Sequence, residues 1–170
     1  MKQPTPLTRR RFLATSIAAS AAVLLGGCGF RLRGTESMPQ LPPMSIEGND
    51  NSPLAQQLRN RLQQLGTDVS AGAPWRLTLG TPSVQERRIG GEGRASREHE
   101  LTMSTTLSVQ ERATNAYALN NATLSSSTRI RVSDDDLLNR ESLFNEAERT
   151  LTQQLSQRII ERLANLEALQ

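Results

Sequence analysis

Cys28 is the residue whose side chain is best suited to covalent chemistry, because it is the only cysteine among 170 residues. A lone cysteine cannot form a disulfide within its own chain, and a free thiol is a liability in an oxidising compartment. Covalent modification of the thiol would remove that liability. Small residues, Gly26 and Gly27, directly precede the cysteine at the end of an apolar run. The segment before Cys28 therefore decides how its thiol is used.

That segment has the layout of a secretory signal. A basic region, Lys2 and Arg9–Arg11, precedes an apolar run from Phe12 to Leu25. About 20 apolar residues are needed to cross a bilayer, and this run is shorter and contains hydroxyl residues. We therefore expect residues 1–27 to be an export signal that is removed. The alternative is an uncleaved helix that buries the cysteine.

Two short motifs within the signal refine this expectation. Leu25-Gly26-Gly27-Cys28 resembles the lipobox of bacterial lipoproteins, in which the cysteine thiol is diacylated and becomes the first mature residue. Arg9-Arg10 followed by Phe12-Leu13 resembles a twin-arginine export signal. The sequence thus predicts a lipid anchor at Cys28. Two or more acyl chains hold a protein stably at a membrane.

Removal of the signal changes the net charge. The full sequence carries a formal charge of +3, with 20 basic and 17 acidic side chains. The signal holds four of the basic side chains and none of the acidic ones, so the remaining 143 residues hold 16 basic and 17 acidic. The basic character of the whole sequence therefore does not indicate nucleic-acid binding.

The residue patterns of catalytic and cofactor sites are missing from the sequence. His99, the only histidine, has a glutamate on either side, and we expect it to be a surface residue rather than a base. Gly90-Gly91-Glu92-Gly93 lacks the Lys-Ser/Thr that continues a phosphate loop. The adjacent carboxylates Asp134–Asp136 diverge too much to hold a metal. We expect no enzymatic activity, no cofactor and no bound metal.

Arginines crowd one glycine-rich segment, residues 86–94, which is predicted to be a hairpin tip. The planar arginine fork suits phosphate, so this cluster could contact an anionic group such as a phosphorylated lipid. The alternative is a solvated loop balanced by neighbouring glutamates, and codon bias in a GC-rich genome also accounts for the arginine content. The arginines of the segment and its surroundings are Arg87, Arg88, Arg94, Arg97, Arg129, Arg131 and Arg140.

The first half of the remaining sequence predicts a tether, a strand and a helix. The proline-rich residues 28–43 are expected to form an extended tether. Residues 44–47 alternate like an edge strand. Ser52-Pro53 then starts an amphipathic helix that ends before Gly66. Leucines at helical spacing mark its apolar face: Leu54, Leu58, Leu62 and Leu65.

The second half alternates with period two. Trp75–Leu79 predicts a strand that bends at Pro82. Residues 101–110 predict the clearest strand, with one apolar and one hydroxylated face. A further strand from Tyr117 should contain a bulge near Asn120-Asn121, where the apolar phase shifts.

The last predicted element is an amphipathic helix over residues 140–168, with Asp134–Asp136 as its candidate cap. This order of elements predicts a two-layer α+β sandwich, in which a small mixed sheet of about four strands carries two helices on one face. The single domain would span residues 44–170. The opposite face of the sheet, rich in Ser and Thr, must meet water or something polar.

The run Leu25–Gly34 closely resembles the acylation site and first mature residues of the LPS-assembly lipoprotein family (LptE, formerly RlpB). The resemblance continues through the leucine helix, Trp75–Gly80, the long strands and the last helix. It implies a palmitate-bearing outer-membrane lipoprotein that sits as a plug inside the large β-barrel LptD, in a 1:1 complex. It further implies help with assembly of that barrel and with delivery of lipopolysaccharide to the outer leaflet. A polar barrel lumen suits the hydroxylated face.

The resemblance also implies where lipopolysaccharide is contacted. The family has basic residues implicated in that contact, and by position Arg140 and the tip with Arg87, Arg88 and Arg94 are the nearest matches. Gly29 after the acylated cysteine agrees with sorting to the outer membrane, on its periplasmic side or in the barrel lumen. The twin-arginine motif departs from the family's usual export route, so both routes stay open. The alternative function is a stand-alone periplasmic lipid- or ligand-binding lipoprotein, which would need an apolar cavity.

Overall fold

The computed structural model of the protein describes residues 40–90, 96–133 and 137–169. Within these ranges it confirms the predicted α+β sandwich of a mixed sheet with two helices, with five strands in place of about four. The elements are β1 (Met44–Gly48), α1 (Pro53–Gln64), β2 (Trp75–Leu79), β3 (Ser83–Ile89), β4 (Ser96–Glu111), β5 (Tyr117–Ser133), α2 (Leu137–Ala164) and a short 3-10 turn (Glu167–Leu169).

The central strand of the sheet is β4. Strand β5 pairs antiparallel with one edge of β4 along almost its whole length. Strands β2 and β3 pair one after the other with the opposite edge, β2 at residues 107–111 and β3 at residues 98–104. Strand β1 extends the sheet parallel to β2. Pro82 lies between β2 and β3, which confirms the predicted break, since proline cannot donate to a strand ladder.

Side chains of β4 alternate between two faces, as predicted. The inner face, which the helices cover, holds the buried residues Leu101, Met103, Leu107 and Val109. They join the leucines of both helices in one hydrophobic core. The outer face holds the hydroxyl residues between them, which stay partly exposed because neither described helix covers that side: Thr102, Ser104, Thr106 and Ser108.

Helix α1 begins and ends where the sequence predicts. The hydroxyl of Ser52 accepts a hydrogen bond from the backbone N–H of Ala55 at 3.2 Å, and Pro53 occupies the first turn. Gly66 has φ = 83°, the left-handed conformation that closes a helix. One expected core residue is wrong: Leu65 is exposed, because the helix ends at Gln64 and Leu65 is its C-terminal cap.

The predicted bulge in β5 is confirmed. Leu107 pairs with Ala122 and Val109 pairs with Leu119, so β5 contains one residue more than β4 over this stretch. Asn121 has φ = 48°, and its backbone N–H donates to the hydroxyl of Ser108 at 2.8 Å. The bulge resets the phase of β5, so the apolar residues on either side of it return to the inner face.

Two predicted boundaries are wrong. Residues 86–89 belong to β3 instead of a hairpin tip, because each of them pairs with a residue of β4. Helix α2 spans residues 137–164 instead of 140–168. After it the chain forms a tighter turn, in which the N–H of Leu166 donates to the carbonyl of Leu163. The proposed cap Asp134–Asp136 lies outside the described residues.

A hydrogen-bond network joins the turn after β4 to β1. The Nη2 atom of Arg112 donates to Oε1 of Glu47 at 2.7 Å and to the hydroxyl of Ser45 at 3.0 Å. Its Nε atom donates to the carbonyl of Ala73 at 3.1 Å. Arg76 of β2 lies 3.0 Å from the second carboxylate oxygen of Glu47. Three segments that are distant in sequence are therefore joined at this end of the sheet.

Candidate functional site

His99 lies on the inner face of β4 and is 3 % exposed. The expectation that it is a surface residue is therefore wrong. Strand alternation puts His99 in phase with Leu101, so its ring points toward the helices although both neighbours in sequence are glutamates. The Nδ1 atom of His99 lies 2.5 Å from Oε1 of Glu86, which precedes it by 13 residues on β3. This contact holds Glu86 against the covered side of the sheet.

Helix α2 adds an aromatic ring and a cation to this pair. The ring of Phe144 meets the His99 ring edge-on, with centroids 5.8 Å apart and an angle of 71°. The guanidinium of Arg140 lies 5.3 Å from the centroid of the Phe144 ring. Its Nη2 atom is 3.9 Å from Oε1 of Glu86. An arginine on an aromatic face is oriented by the ring quadrupole, so these contacts hold Arg140 in a defined direction.

Arg140 remains open to a ligand, because its side chain is 40 % exposed. Arg88 is exposed as well, and it lies two residues from Glu86 on the same side of β3, opposite His99. Among the described residues Arg88 has no ion pair. We call Arg88, Arg140 and the residues that hold Arg140 (Glu86, His99 and Phe144) the inner cationic cluster.

Three of the other predicted arginines lie on the outer face of the sheet: Arg87, Arg129 and Arg131. Arg87 donates from Nε and Nη2 to one oxygen of Glu100, at 3.1 and 2.5 Å. Arg129 of β5 lies 3.4 Å from the other oxygen of Glu100. The hydrogen bond from Arg87 holds the pKa of the Glu100 carboxyl below its ordinary value. Arg131 pairs similarly with Glu98 at 2.7 Å.

The sheet therefore divides the predicted arginine cluster in two. Arg87 is on the outer face, balanced by glutamate as the solvated-loop alternative expects. Arg88, Arg97 and Arg140 are on the inner side. Arg94 and Cys28 lie outside the described residues, so their predicted roles stay predictions.

Sequence reasoning missed Glu86, His99 and Phe144 as members of the site. Two signals could have found His99 and Phe144. The alternation of β4, extended back from Leu101, reaches His99 on the same face. Phe144 follows Arg140 by four residues, the spacing at which helical side chains meet.

Hydroxyl and amide side chains cover the outer face beyond this charged region. The hydroxyls of Ser83 and Ser104 lie 3.1 Å apart across the β3–β4 pair. On this face, every second register pair of β4 and β5 consists of hydroxyl residues alone: Thr102 with Ser127, Ser104 with Ser125, and Thr106 with Thr123. This surface can exchange hydrogen bonds with water or with another polar surface.

A cleft opens on the inner side at the break between β2 and β3. It has a volume of about 470 Å³. Apolar side chains of Pro53, Leu54, Pro82 and Met103 line one side, and polar residues of α2 line the other. Its volume is within the range of about 300–1,000 Å³ that is typical of ligand pockets. Among the described residues, no helix is long and apolar enough to cross a membrane.

Comparison with known proteins gives a family match over most of the described residues. Residues 41–163 match the family model LptE, described as lipopolysaccharide-assembly. A minor lipoprotein from Acinetobacter baumannii is 16 % identical, with a TM-score of 0.62 over 73 % of this chain and 91 % of that one.

Two other solved structures have similar folds. Rare lipoprotein B from Shewanella oneidensis is 20 % identical, with a TM-score of 0.59 over 74 % of this chain and 96 % of that one. An uncharacterized lipoprotein B from Nitrosomonas europaea is 17 % identical, with a TM-score of 0.64 over 82 % and 93 % of the two chains. At these identities the likeness establishes the fold alone.

Proposed function

The chain belongs to the lipopolysaccharide-assembly family LptE, and on that premise we propose that it plugs a lipopolysaccharide-translocating β-barrel in the outer membrane. It assists the assembly of an LptD-like barrel as a 1:1 partner and helps deliver lipopolysaccharide to the outer leaflet. It does so by binding and positioning, without catalysing a reaction.

The observation that carries the plug role is the hydroxylated outer face. Every β4–β5 register pair from Thr102 to Thr106 on that side consists of Ser and Thr. The lumen of a large barrel is polar and hydrated, so a plug must offer hydrogen-bonding groups in place of apolar ones. An apolar partner would leave these hydroxyls desolvated and unpaired, at a cost of about 1–3 kcal/mol each.

The inner cationic cluster supports contact with the phosphates of lipopolysaccharide. Arginine binds phosphate through charge-assisted hydrogen bonds from its planar fork. Arg140 is held in direction by Phe144 and Glu86 and is still 40 % exposed. Arg88 and Arg140 are therefore the arginines we assign to this contact. Arg87 is secondary because Glu100 occupies two of its donors.

Attachment to the membrane is assigned to Cys28. Its thiol carries the diacyl group, removal of residues 1–27 by either export route frees its amino group, and residues 28–43 connect the anchor to the domain. The protein then lies on the periplasmic side of the outer membrane or within the barrel lumen.

Depletion of the protein in its own bacterium tests the plug role. We expect a loss of mature barrel and a fall in lipopolysaccharide at the cell surface, both restored by the parent sequence. A Cys28→Ala variant should fail to restore them to the same extent. Normal barrel maturation together with normal lipopolysaccharide export after depletion would refute the proposal.

A stand-alone lipid-binding lipoprotein is the second candidate, and the cleft at Pro82 favours it. Co-purification after mild detergent extraction separates the two functions. A large barrel at equal stoichiometry supports the plug. A monomer that carries lipid and no barrel supports the carrier.

A further inference from the structure

The cleft at the break between β2 and β3 exists because helix α1 is short and leaves β3 uncovered. Helix α1 has 12 residues and begins at Pro53. Every residue of β3 except Ile89 is exposed, and Val84, on the inner side opposite Met103, is 40 % exposed. Leu54 and Met103 at the cleft wall are otherwise buried. Apolar surface therefore continues from the hydrophobic core to the outside of the protein at this point.

A row of α2 side chains connects this apolar cleft to the inner cationic cluster. Arg140, Phe144, Glu148 and Thr152 follow one another at intervals of four residues, and helical side chains at that spacing are neighbours. Glu148 and Thr152 line the cleft, whereas Arg140 and Phe144 belong to the cluster. The distance from Arg140 to Thr152 along the helix axis is about 18 Å.

The inner side of β3 runs beside this row. It likewise has a cationic end and, toward the cleft, an apolar end. Arg88 and Glu86 lie at the cationic end, and Val84 and Pro82 lie at the apolar end. Four residues of strand separate Arg88 from Val84, which is about 13 Å. One leaflet of a bilayer core is about 15 Å thick, half of the roughly 30 Å of the whole core. An extended acyl chain therefore has the length that separates the two ends.

The charges along this path favour an anionic head group at one end only. Among the described residues, Glu86 is the carboxylate that pairs with Arg140, at 3.9 Å, and its Oε1 atom is also in contact with His99. At the cleft itself, Glu148 and Arg149 are both present, so their opposite charges offset each other. Among the described residues of this path, Arg88 and Arg140 carry two positive charges against the single carboxylate of Glu86, so this end keeps a net positive charge.

We propose that the cleft takes an acyl chain of a phosphorylated lipid whose phosphate lies at Arg88 and Arg140. This inference rests on the proposed function, since it divides the contact with lipopolysaccharide into a phosphate subsite and an acyl subsite. Lipopolysaccharide and glycerophospholipid share this chemistry, and the experiment distinguishes them.

Photo-crosslinking in living cells tests the acyl subsite in the intact protein with its partners. A benzophenone amino acid is introduced at Asn145 or Gln57, on opposite walls of the cleft, or at the exposed Glu141, which follows Arg140 of the phosphate subsite. Gln154, exposed on α2 and outside the cleft lining, is the matched control. Adducts are identified by mass spectrometry as lipopolysaccharide, glycerophospholipid or protein. We expect lipid adducts at Asn145 and Gln57 and a background yield at Gln154.

A blocking variant makes the test specific for the cleft. With the crosslinker at Gln57, Asn145→Trp should lower the lipid adduct about tenfold, because an indole in the cleft displaces about two methylene groups of the chain. Gln154→Trp should leave the yield unchanged. Each variant is first checked for co-purification with the barrel, so that a folding defect is recognised.

The outcomes separate this inference from the proposed function. A lipid adduct of either kind in the cleft that Asn145→Trp removes supports the acyl subsite, and its mass identifies the source. Lipopolysaccharide adducts at Glu141 with only background yields at Asn145 and Gln57 overturn the acyl subsite and leave the proposed function standing. Background yields at all three positions overturn the acyl subsite and the proposed lipopolysaccharide contact together.

Discussion

The Nδ1 atom of His99 lies 2.5 Å from Oε1 of Glu86, on the covered side of the sheet. Phe144 packs edge-on against the histidine ring, and the guanidinium of Arg140 lies over the ring of Phe144. The direction of the exposed arginine therefore depends on a buried histidine that does not itself reach the surface. Replacement of Glu86, His99 or Phe144 should therefore change the orientation of Arg140.

Replacement of His99 by alanine should lower the free energy of unfolding by about 2 kcal/mol or more. The substitution leaves a cavity beside Phe144 and removes the hydrogen-bond partner of Glu86. Urea unfolding followed by the fluorescence of Trp75, the only tryptophan, measures the loss. Arg88→Ala, at the exposed position opposite His99, should change stability by no more than about 0.5 kcal/mol. Equal effects of the two substitutions would contradict a structural role for His99.

His99 also illustrates what the sequence could and could not predict. Its glutamate neighbours favoured a surface position, but the period-two pattern of Leu101 and Met103 extends back to it and predicts the opposite. Local signals of this kind were sufficient for the start of α1 at Ser52-Pro53 and for the bulge at Asn121. Each depends on residues within a few positions of one another.

The division of the arginines between two faces could not be predicted in the same way. It depends on the register of β3 against β4, which sets Arg87 opposite Glu100 and Arg88 opposite His99. A shift of one residue would exchange the faces of both arginines. The cleft likewise depends on where α1 begins relative to β3, which is a matter of tertiary packing.

Arg140→Gln should weaken lipopolysaccharide binding about tenfold or more, because a charge-assisted hydrogen bond contributes about 1.5–3 kcal/mol. Arg87→Gln removes the same charge from the outer face, where Glu100 already occupies the guanidinium. Its effect should stay within about threefold. The measurement is the amount of lipopolysaccharide retained by the full-length protein in detergent. A larger loss for Arg87→Gln than for Arg140→Gln would contradict the assignment of the phosphate contact to the inner side.

Phe144→Leu should weaken the same binding by a smaller factor, between about twofold and fivefold. The charge of Arg140 remains, but the ring that orients it is lost, and a cation–π contact contributes about 0.5–1 kcal/mol at an exposed site. Leucine keeps most of the apolar contact with the core. The double variant Phe144→Leu/Arg140→Gln should bind no more weakly than Arg140→Gln alone. Additive losses would mean that Phe144 acts independently of Arg140.

Three glycines separate backbone strain from steric contact in a matched series. Gly48 has φ = 88°, and a Cβ at this position would collide with the carbonyl oxygen of Leu79. Gly66 has φ = 83° with open space around it, and Gly72 has open space and no such strain. Substitution by alanine should therefore lower the free energy of unfolding most at Gly48, by about 1 kcal/mol at Gly66 and by almost nothing at Gly72. Urea midpoints in any other order would contradict this reading of the β1–β2 contact.

The decrease of the unfolding free energy at acid pH should depend on Glu47. Its pKa is lowered from the ordinary value of 4.5, chiefly by the hydrogen bond from Arg112. A carboxyl whose pKa is lower in the folded than in the unfolded state stabilises the fold above its unfolded pKa, and this stabilisation is lost as the pH falls through the folded pKa. Glu47→Gln should therefore lower the free energy of unfolding at neutral pH. In acid the variant and the parent protein should have similar unfolding free energies.

The size of this loss is limited by solvent, since the side chains of Glu47 and Arg112 are 40 % and 34 % exposed. We expect no more than about 1 kcal/mol at neutral pH. Unfolding free energies measured from about pH 7 down to about pH 2 should thus fall less steeply in Glu47→Gln than in the parent protein, across the interval below the ordinary pKa. Arg112→Gln, which removes the donor and keeps the carboxyl, should flatten the same interval. Parallel pH profiles for the parent protein and both variants would show that this hydrogen bond does not couple protonation to folding.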